Sequence, residues 1–482
     1  MAPNHEASIL EWQSAMDKGT ITARELTLFF IKRIAAFDKQ GLVINAISEI
    51  NPDALHIAES LDRERAVSGS RGPLHGIPVL IKDNIATRDK MHTSAGSLAL
   101  ADSYASADSS VAARLREAGA VILGKTNLSE WANFMSNHMP SGYSSRGGQV
   151  RSPYAPGEFD VGGSSSGSGA AVAAGFAVVA VGTETSGSIL DPSVCNSLVG
   201  IKPTVGLISR SGIIPISNSQ DTAGPMARTV EDAAILLGVL AGVDARDPAT
   251  AKSEGLAHDN YLPFLDANGL RGVRIGVVRS LFQDECSQEE LHLYEAAIEA
   301  FKNAGATVID SVTIPSENAQ WDSYVLLHEF KAGVNAYLQT LPASYPIRTL
   351  KDVIAFNRKH EGLALRYGQS LLEEAEKTSG TLTEPEYLMN RLYDIEMSQN
   401  NGIDAVINGH ELDALLFPGC TGDNIAARAG YPSITVPAGY TAVGKPFGIM
   451  LTGLAFQEHV LIRLAYAYEQ ASRLRVAPEM SL

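Results

Sequence analysis

The sequence predicts an α/β protein, and its length, composition and uniformity favour one large domain. The 482 residues are enough for one large α/β domain or for two of ordinary size. A hydrophobic content of 45% and a mean hydropathy of +0.00 are typical of a globular enzyme. Because no internal repeat and no break in composition marks a boundary, we expect a single domain over residues 1–482.

Three helices are predicted before the first strand. The first covers residues 7–18. The second opens at Thr22, where Glu25 completes a capping box and apolar residues follow at helical spacing. The third begins at Asn51-Pro52, which we interpret as a cap followed by a first-turn proline. We assign these helices no chemistry.

Strand and helix patterns alternate along the rest of the chain. The predicted strands cover residues 77–81, 120–124, 176–181, 306–310, 412–418, 433–437 and 447–453. The predicted helices cover residues 109–119, a segment capped by Ser129, 170–175, 289–304 and 457–475, with 321–400 mostly helical. Residues 199–230 are expected to continue the sheet.

The stretch 162–192, GGSSSGSGAAVAAGFAVVAVGTETSGSILDP, carries two serine-containing glycine turns and admits three interpretations. A flexible linker is disfavoured because an apolar helix and strand follow at once. A nucleophile elbow, G-x-S-x-G, fits with Ser165 in the middle but lacks a preceding strand. A phosphate loop is disfavoured because neither nucleotide-binding motif is complete.

Several ordered blocks of the sequence resemble the amidase signature family, a group of serine amide hydrolases. Residues 162–168 resemble its Gly-Gly-Ser-Ser-Gly-Gly-Ser loop, and residues 185–192 resemble its Thr-Gly-Gly-Ser-Ile-Arg-x-Pro motif. Ser164 lies 24 positions before Ser188. Further blocks are similar at residues 76–84, 124–130, 200–204 and 221–225. The resemblance spans about residues 5–470 and implies a central mixed twisted sheet covered on both sides by helices.

The resemblance implies a Ser-Ser-Lys triad. Ser188 is the expected nucleophile, Ser164 passes its proton on, and Lys82 accepts it. A lysine acts as a base only when neutral, although its unperturbed pKa is about 10.4. Burial lowers the pKa of a lysine, and the apolar strand at residues 77–81 suits that requirement.

The resemblance also implies an oxyanion hole at the turn before the nucleophile. Backbone N–H groups of this turn would stabilise the negative oxygen of the tetrahedral intermediate. The hydroxyls of Ser165 and Thr185 are expected to support the two catalytic serines. A cis peptide is expected at Gly163–Ser164. The residues assigned to the hole and its support are Thr185, Ser186, Gly187, Ser188 and Ser165.

Two positions depart from the family pattern. Leu190 stands where the motif has arginine, and Ser186 where a glycine or an acid is usual. The sequences of several blocks are most similar to the peptide amidase branch of the family. Members of this branch hydrolyse the C-terminal amide of peptides and release ammonia. Alternatives are an aryl or alkyl acylamidase, the glutaminase subunit of a tRNA-dependent amidotransferase, against which Leu190 counts, and a catalytically silent binding protein.

Within the predicted domain, residues 70–230 would form the catalytic core. By similarity to the amidase signature family, residues 280–400 would form the side of the domain that covers the substrate. The long loop 135–156 is a candidate for function because long loops in compact domains often carry it. The residues expected either to line the acyl pocket or to pack in the core are Trp131, Phe134, Met135 and Tyr143.

Composition argues against several other classes. The net charge of −16 disfavours nucleic acid or an anionic membrane as partner. The three cysteines, without a C-x-x-C pair, disfavour a disulfide framework and a zinc site. The three His-Glu pairs lack the second histidine of H-E-x-x-H. We expect no metal and no cofactor, and we rank a histidine base, His75 or His92, below Lys82.

The remaining expectations concern location and assembly. No basic segment followed by an apolar one opens the chain, and no apolar run reaches the roughly 20 residues of a membrane span. A cytoplasmic protein is the simplest interpretation, although a removed leader would leave the same sequence. The expected partner is a small-molecule or peptide amide substrate, and the expected state is a monomer or a homodimer.

Overall fold

The computed structural model describes residues 4–280 and 286–480. The strands of this part are β1 Ile47–Ile50, β2 Pro78–Lys82, β3 Val121–Thr126, β4 Tyr143–Ser144, β5 Gly148–Gln149, β6 Val179–Glu184, β7 Val199–Lys202, β8 Thr222–Ala227, β9 Arg274–Val278, β10 Thr307–Val312, β11 Ala414–Pro418, β12 Ser433–Tyr440 and β13 Pro446–Thr452.

Its α-helices are α1 Ile9–Asp17, α2 Ala23–Phe37, α3 Ala54–Ser68, α4 Ser110–Glu117, α5 Glu130–Asn133, α6 Ser166–Ala173, α7 Leu190–Cys195, α8 Val230–Leu240, α9 Gln288–Asn303, α10 Tyr324–Gln339, α11 Leu350–Lys359, α12 Glu361–Ala364, α13 Ser370–Glu376, α14 Pro385–Ser398, α15 Asp404–His410, α16 Asp423–Ala429 and α17 Glu458–Ser472.

Eleven of these strands pair in one mixed sheet, in the order β1-β3-β2-β6-β8-β7-β12-β13-β11-β9-β10. The strands β3, β2 and β6 run parallel at one end of the sheet. The strands β11, β9 and β10 run parallel at the other end, and antiparallel pairs join the two groups. The predicted fold, one domain with a mixed sheet covered on both sides by helices, is confirmed.

Three apolar clusters hold the elements together. The largest joins the sheet to α2, α8, α9 and α17, and within it Tyr468 stacks on Phe301 with ring centroids 4.9 Å apart. A second lies between α10, α11 and the segment around Trp131. A third surrounds Leu190 and Phe417. Since burial of apolar area drives folding, these clusters fix the loops that meet at the sheet edge.

Two predicted helix starts are wrong. The third helix begins at Ala54, later than predicted, although Asn51 Oδ1 accepts from the Asp53 N–H at 3.0 Å as a cap residue does. Ser129 does not cap a right-handed helix. Its hydroxyl accepts from the Gly142 N–H at 2.8 Å. The following turn is left-handed, with φ of 53° at Trp131.

The central helix and strand both lie away from their predicted bounds. The helix expected at 170–175 is α6, which begins at Ser166, since the Ser166 hydroxyl donates back to the Gly162 carbonyl at 2.6 Å. The strand expected at 176–181 is β6, which continues through Glu184 because its polar end pairs with β8. Of the predicted helical region 280–400, residues 281–285 lie outside the described residues.

Within residues 4–280 and 286–480, none of the helices combines the length and the apolar character that crossing a bilayer requires.

Candidate active site

The site forms where the neighbouring parallel strands β2 and β6 end. Lys82 is the last residue of β2 and is fully buried. Its Nζ lies 2.7 Å from Ser164 Oγ and donates to the Thr183 carbonyl at 3.0 Å. The carboxyl ends of parallel strands meet at one edge of a sheet, so a lysine on β2 reaches the loop that precedes α6. The structure thus brings together two of the three residues predicted as a triad.

Burial sets the charge of this lysine. The loss of hydration lowers the pKa of Lys82 to about 7, against the opposing effect of the carboxylates of Glu184 and Asp221. The neutral amine is therefore populated near neutral pH. A neutral amine within hydrogen-bonding distance of a hydroxyl can accept its proton.

Two other lysines are as deeply buried but have different partners. Lys125 Nζ donates to the Ile85 carbonyl at 2.6 Å and to Thr93 Oγ1 at 2.9 Å. Lys202 Nζ donates to the carbonyl of Tyr431. Burial lowers the pKa of each to about 8. Lys82 differs from both in its contact with Ser164, and this contact singles it out as the candidate base.

The turn from Thr185 to Leu190 is held by the carboxylate of Glu184. Its Oε1 accepts from the Gly187 N–H at 2.9 Å, and its Oε2 accepts from the N–H groups of Ile189 and Leu190 at 2.6 and 3.0 Å. Ser188, 6% exposed, lies inside this turn. The Gly187 N–H is therefore engaged, whereas the N–H groups of Ser186 and Ser188 have no hydrogen-bond acceptor among the residues described.

Hydrogen bonds of Ser165 join the two serine-containing turns. The Ser165 N–H donates to the Ser188 carbonyl at 3.1 Å. The Ser165 hydroxyl donates to the Thr183 carbonyl at 3.0 Å and accepts from the Thr183 N–H at 3.2 Å. Ser165 is thus tied to β6, and no strand precedes it within residues 150–165. Both facts disfavour the nucleophile elbow.

The peptide bond between Gly163 and Ser164 is cis, which confirms the expectation. The Gly163 N–H donates to Asp191 Oδ2 at 2.8 Å, so α7 is linked to the glycine loop. Leu190, which replaces the arginine of the family motif, is fully buried in the cluster around Phe417. A charged side chain would be costly in this cluster.

The two histidines named as alternative bases have partners elsewhere. His75 Nε2 lies 2.9 Å from the Leu61 carbonyl oxygen, and His92 Nδ1 lies 3.0 Å from Glu49 Oε2. Neither has a hydrogen bond to Ser164 or Ser188 within the described part of the chain. The lysine arrangement therefore remains the better supported one.

Two cavities are lined by residues that belong to or contact the turn around Ser188. The first, of about 280 Å³, borders the end of β6 at Thr183–Thr185 and is also lined by Asp221, Ile214 and Tyr337. The second, of about 340 Å³, is lined by Asp423. The Asp423 carboxylate accepts from Ser186 Oγ at 3.4 Å and blocks the space that a side chain at position 187 would need. Gly187 is favoured chiefly by its φ of 76°, because the crowding atom is the end of the Asp423 side chain.

Of the four residues expected either to line the acyl pocket or to pack in the core, Trp131, Phe134 and Met135 are buried in the core, and Tyr143 is half-buried against it. Trp131 and Phe134 pack against Phe330 of α10, with ring centroids 6.1 and 4.7 Å apart, and Met135 is buried in the same cluster. Tyr143 packs against Tyr367. The first cavity is lined by α10 residues, including Tyr337, and by Ala132 of the left-handed turn.

Comparison with known proteins assigns the family. The family model described as Amidase matches residues 25–462. The chain belongs to the amidase family. A probable amidase of Arabidopsis thaliana is 41% identical to it over 98% of this chain and 91% of the relative. An amide-hydrolysing enzyme, as the sequence predicted, is thereby confirmed.

Two further proteins bear on the branch of this amidase. The native peptide amidase of Stenotrophomonas maltophilia has the same fold, with a TM-score of 0.93 and 46% identity over 99% of each chain. A glutamyl-tRNA(Gln) amidotransferase subunit of Halorhodospira halophila is 31% identical over 97% of this chain and 98% of the relative. The predicted similarity to peptide amidases is confirmed.

The acidic residues around the site were not predicted. Glu184 and Asp221 lie in or beside blocks that resemble the family, but a carboxyl group gives no sign of its partners in a single sequence. Asp221 accepts from Thr185 Oγ1 at 2.6 Å and from two backbone N–H groups. Asp423, which lies 235 positions after Ser188, carries no local signal.

Proposed function

We propose that this amidase hydrolyses a carboxamide, the C-terminal amide of a peptide, to a carboxylate and ammonia through an acyl-enzyme on Ser188. Lys82 is the base and Ser164 transfers the proton. The observation that carries the proposal is the 2.7 Å contact between the buried Lys82 Nζ and Ser164 Oγ. A serine hydroxyl needs such a base to become an effective nucleophile.

The proposed reaction has two halves. Ser188 Oγ attacks the carbonyl carbon while its proton passes to Ser164 and the Ser164 proton passes to neutral Lys82. The C–N bond then breaks as Lys82 returns a proton through Ser164 to the leaving nitrogen, and ammonia departs. Water repeats the sequence on the ester, releases the carboxylate and restores Ser188.

The oxyanion is assigned to free backbone donors of the turn. The N–H groups of Ser186 and Ser188 have no acceptor among the residues described, and with Thr185 they form the proposed hole. Gly187, predicted as a further donor, instead bonds Glu184. Its role in the proposal is to leave space for Asp423, and Ser165 holds the Ser188 carbonyl.

The peptide substrate is inferred from likeness and from the first cavity. The peptide amidase of Stenotrophomonas maltophilia is 46% identical over nearly the whole chain. We place the acyl part of the substrate in the first cavity, where α10 contributes Gly333, Ala336 and Tyr337. This placement also supports residues 280–400 as the side that covers the substrate.

A glutaminase component of an amidotransferase is the second candidate, because a relative with an amidotransferase name is 31% identical over 97% of the chain. In that case glutamine would release ammonia, and addition of partner proteins would increase the rate. The peptide amidase proposal expects no such stimulation.

The direct test is covalent labelling. A fluorophosphonate should add once to the protein, and peptide mapping should place the adduct on Ser188. Ser188→Ala should abolish labelling, whereas Ser165→Ala, the matched control, should retain the adduct on Ser188. An adduct on Ser165 with Ser188 unmodified would support the elbow interpretation and overturn the proposal.

Ammonia or amine release from four substrates separates the amidase types. We expect an acetylated peptide amide to be cleaved faster than an anilide, a fatty amide or free glutamine. Cleavage of the anilide or the fatty amide with no turnover of the peptide amide would assign an acylamidase instead. Tight binding of an amide without turnover of any would indicate a silent binding protein.

A further inference from the structure

The second cavity, beside the nucleophile turn, is lined by acidic and aromatic side chains. Asp423 and Glu317 contribute carboxylates, and Trp321 contributes an indole ring. No lysine or arginine is among the lining residues described. The Asp423 carboxylate lies against Gly187, one residue before Ser188. Any group held by Asp423 would therefore be close to the reacting carbonyl.

The charge of Asp423 is poorly matched by protein groups. Its carboxylate accepts hydrogen bonds from Ser186 Oγ at 3.4 Å and from the Asn424 backbone N–H, and it forms no ion pair within residues 4–280 and 286–480. Burial, followed by the nearby carboxylate of Glu184, raises the pKa of Asp423 to about 7. A cation at this position would restore the carboxylate form and gain strongly from it.

The cations nearest to this cavity are committed elsewhere. Lys202 Nζ donates to the Tyr431 carbonyl. Arg428 lies over the Trp321 ring at 4.8 Å, pairs with Asp394 at 3.1 Å and donates to the Asp322 carbonyl at 2.7 Å. Since neither contacts Asp423, its carboxyl group has no cationic partner within the described residues.

A second observation points to a polar ligand. Ser316 lines the same cavity, is 2% exposed, and its Oγ has no hydrogen-bond partner among the residues described. The Oε2 of Glu317 is likewise buried without a partner there. Buried polar atoms are nearly always satisfied in folded proteins, so these atoms suggest that a hydrogen-bond donor occupies the cavity during function.

We propose that the second cavity is a subsite for a protonated amine of the substrate, with Asp423 as its recognition residue. The preferred substrates are then amides that carry an ammonium group a few bonds from the scissile carbonyl. An ammonium offers three donors, which matches the carboxylates and the Ser316 hydroxyl, and the Trp321 ring, already covered by Arg428, adds an apolar wall. The inference rests on the proposed amide hydrolysis and narrows its substrate class.

The test compares two nearly isosteric amides that differ in the ammonium group. We expect kcat/KM for N-acetyl-lysine amide to exceed that for N-acetyl-norleucine amide by at least about tenfold, mainly through KM. In Asp423→Asn the ratio should fall to within about twofold of one. Asp102→Asn, which removes the same charge from an exposed position, should keep the wild-type ratio.

Three results would overturn the subsite. Equal activity of the wild type on both amides would do so while leaving the proposed amide hydrolysis intact. An equal loss on both amides in Asp423→Asn would assign Asp423 a positioning role. Failure to cleave either amide would remove the proposed function as well.

A second measurement uses the wild type alone, in case Asp423→Asn does not fold. Pentylammonium should inhibit hydrolysis of the norleucine amide competitively, at least about tenfold more strongly than 1-pentanol. Equal inhibition by the two compounds would contradict the subsite.

Discussion

At the scale of single residues, the site depends on buried charges that hold a turn. The Glu184 carboxylate accepts three backbone N–H groups of the segment around Ser188. Burial of the Glu184 carboxyl group raises its pKa, and the nearby Lys202 ammonium opposes this rise. Because each oxygen is committed, Glu184 acts as a positioning residue through the turn, not on the substrate.

Replacement of Glu184 by glutamine tests this role. Glutamine offers one acceptor oxygen and one donor nitrogen, so at least one of the three N–H groups would face a donor. We expect Glu184→Gln to lower kcat about 10- to 100-fold with a smaller change in KM, and to cost about 1–3 kcal/mol of unfolding free energy. Steady-state kinetics and urea denaturation measure the two effects.

Glu254→Gln is the matched control, because Glu254 is exposed. It should leave both quantities unchanged. A Glu184→Gln enzyme with wild-type kcat would show that the turn is held by other contacts.

The roles of residues could be predicted from the sequence only where a motif marks them. Lys82, Ser164 and Ser188 lie in three blocks whose order and spacing resemble one family, and the structure brings Lys82 to Ser164. The acidic residues around the site come from distant positions. Asp423, for example, is brought to Ser186 only by the folding of the chain. No local pattern encodes such a contact.

At the scale of elements, α6 sets the position of the first serine turn. It begins directly after Ser164 and Ser165, and Gly167 in its first turn lies against the backbone of neighbouring segments. An added Cβ at Gly167 would lie 2.3 Å from the Asn127 carbonyl oxygen and 2.5 Å from that of Ala46. The helix can occupy this place only with glycine there.

We expect Gly167→Ala to destabilise the protein by about 1–3 kcal/mol, as overpacking does, although alanine favours helix formation in isolation. Activity should fall too, because α6 must shift and Ser164 with it. Thermal unfolding and ammonia release measure these effects.

Gly362→Ala is the control for this substitution. Gly362 lies in the short helix α12 with no neighbouring atom within 4 Å of an added Cβ. The stability of the Gly362→Ala protein should therefore be unchanged or slightly raised. Wild-type stability in Gly167→Ala would contradict the packing argument.

Element prediction succeeded where periodicity or caps were strong. The capping box of Thr22 and Glu25 is present at α2, and the strand ending at Lys82 is β2. It failed where tertiary contacts replaced local rules. Ser129 bonds the Gly142 N–H instead of capping a helix, and the left-handed turn at Trp131 opposes the usual preference of L-residues.

At the scale of the whole molecule, one sheet connects the two parallel ends of the fold. The fold class followed from composition and from the resemblance, but the strand order could not, since β7 pairs with β12, which lies more than 200 residues further along the chain. It stays a prediction that residues 280–400 cover the substrate. The expected monomer or homodimer also stays a prediction.

The proposed proton transfer requires a neutral Lys82 at working pH. Burial lowers its pKa to about 7, so the neutral base is lost as pH falls below that value, about tenfold per unit. The decisive measurement is the pH profile of kcat/KM on an uncharged, acetylated peptide amide. We predict a rise of unit slope in log kcat/KM to a plateau above about pH 7. A profile that stays flat down to about pH 4 would contradict the account.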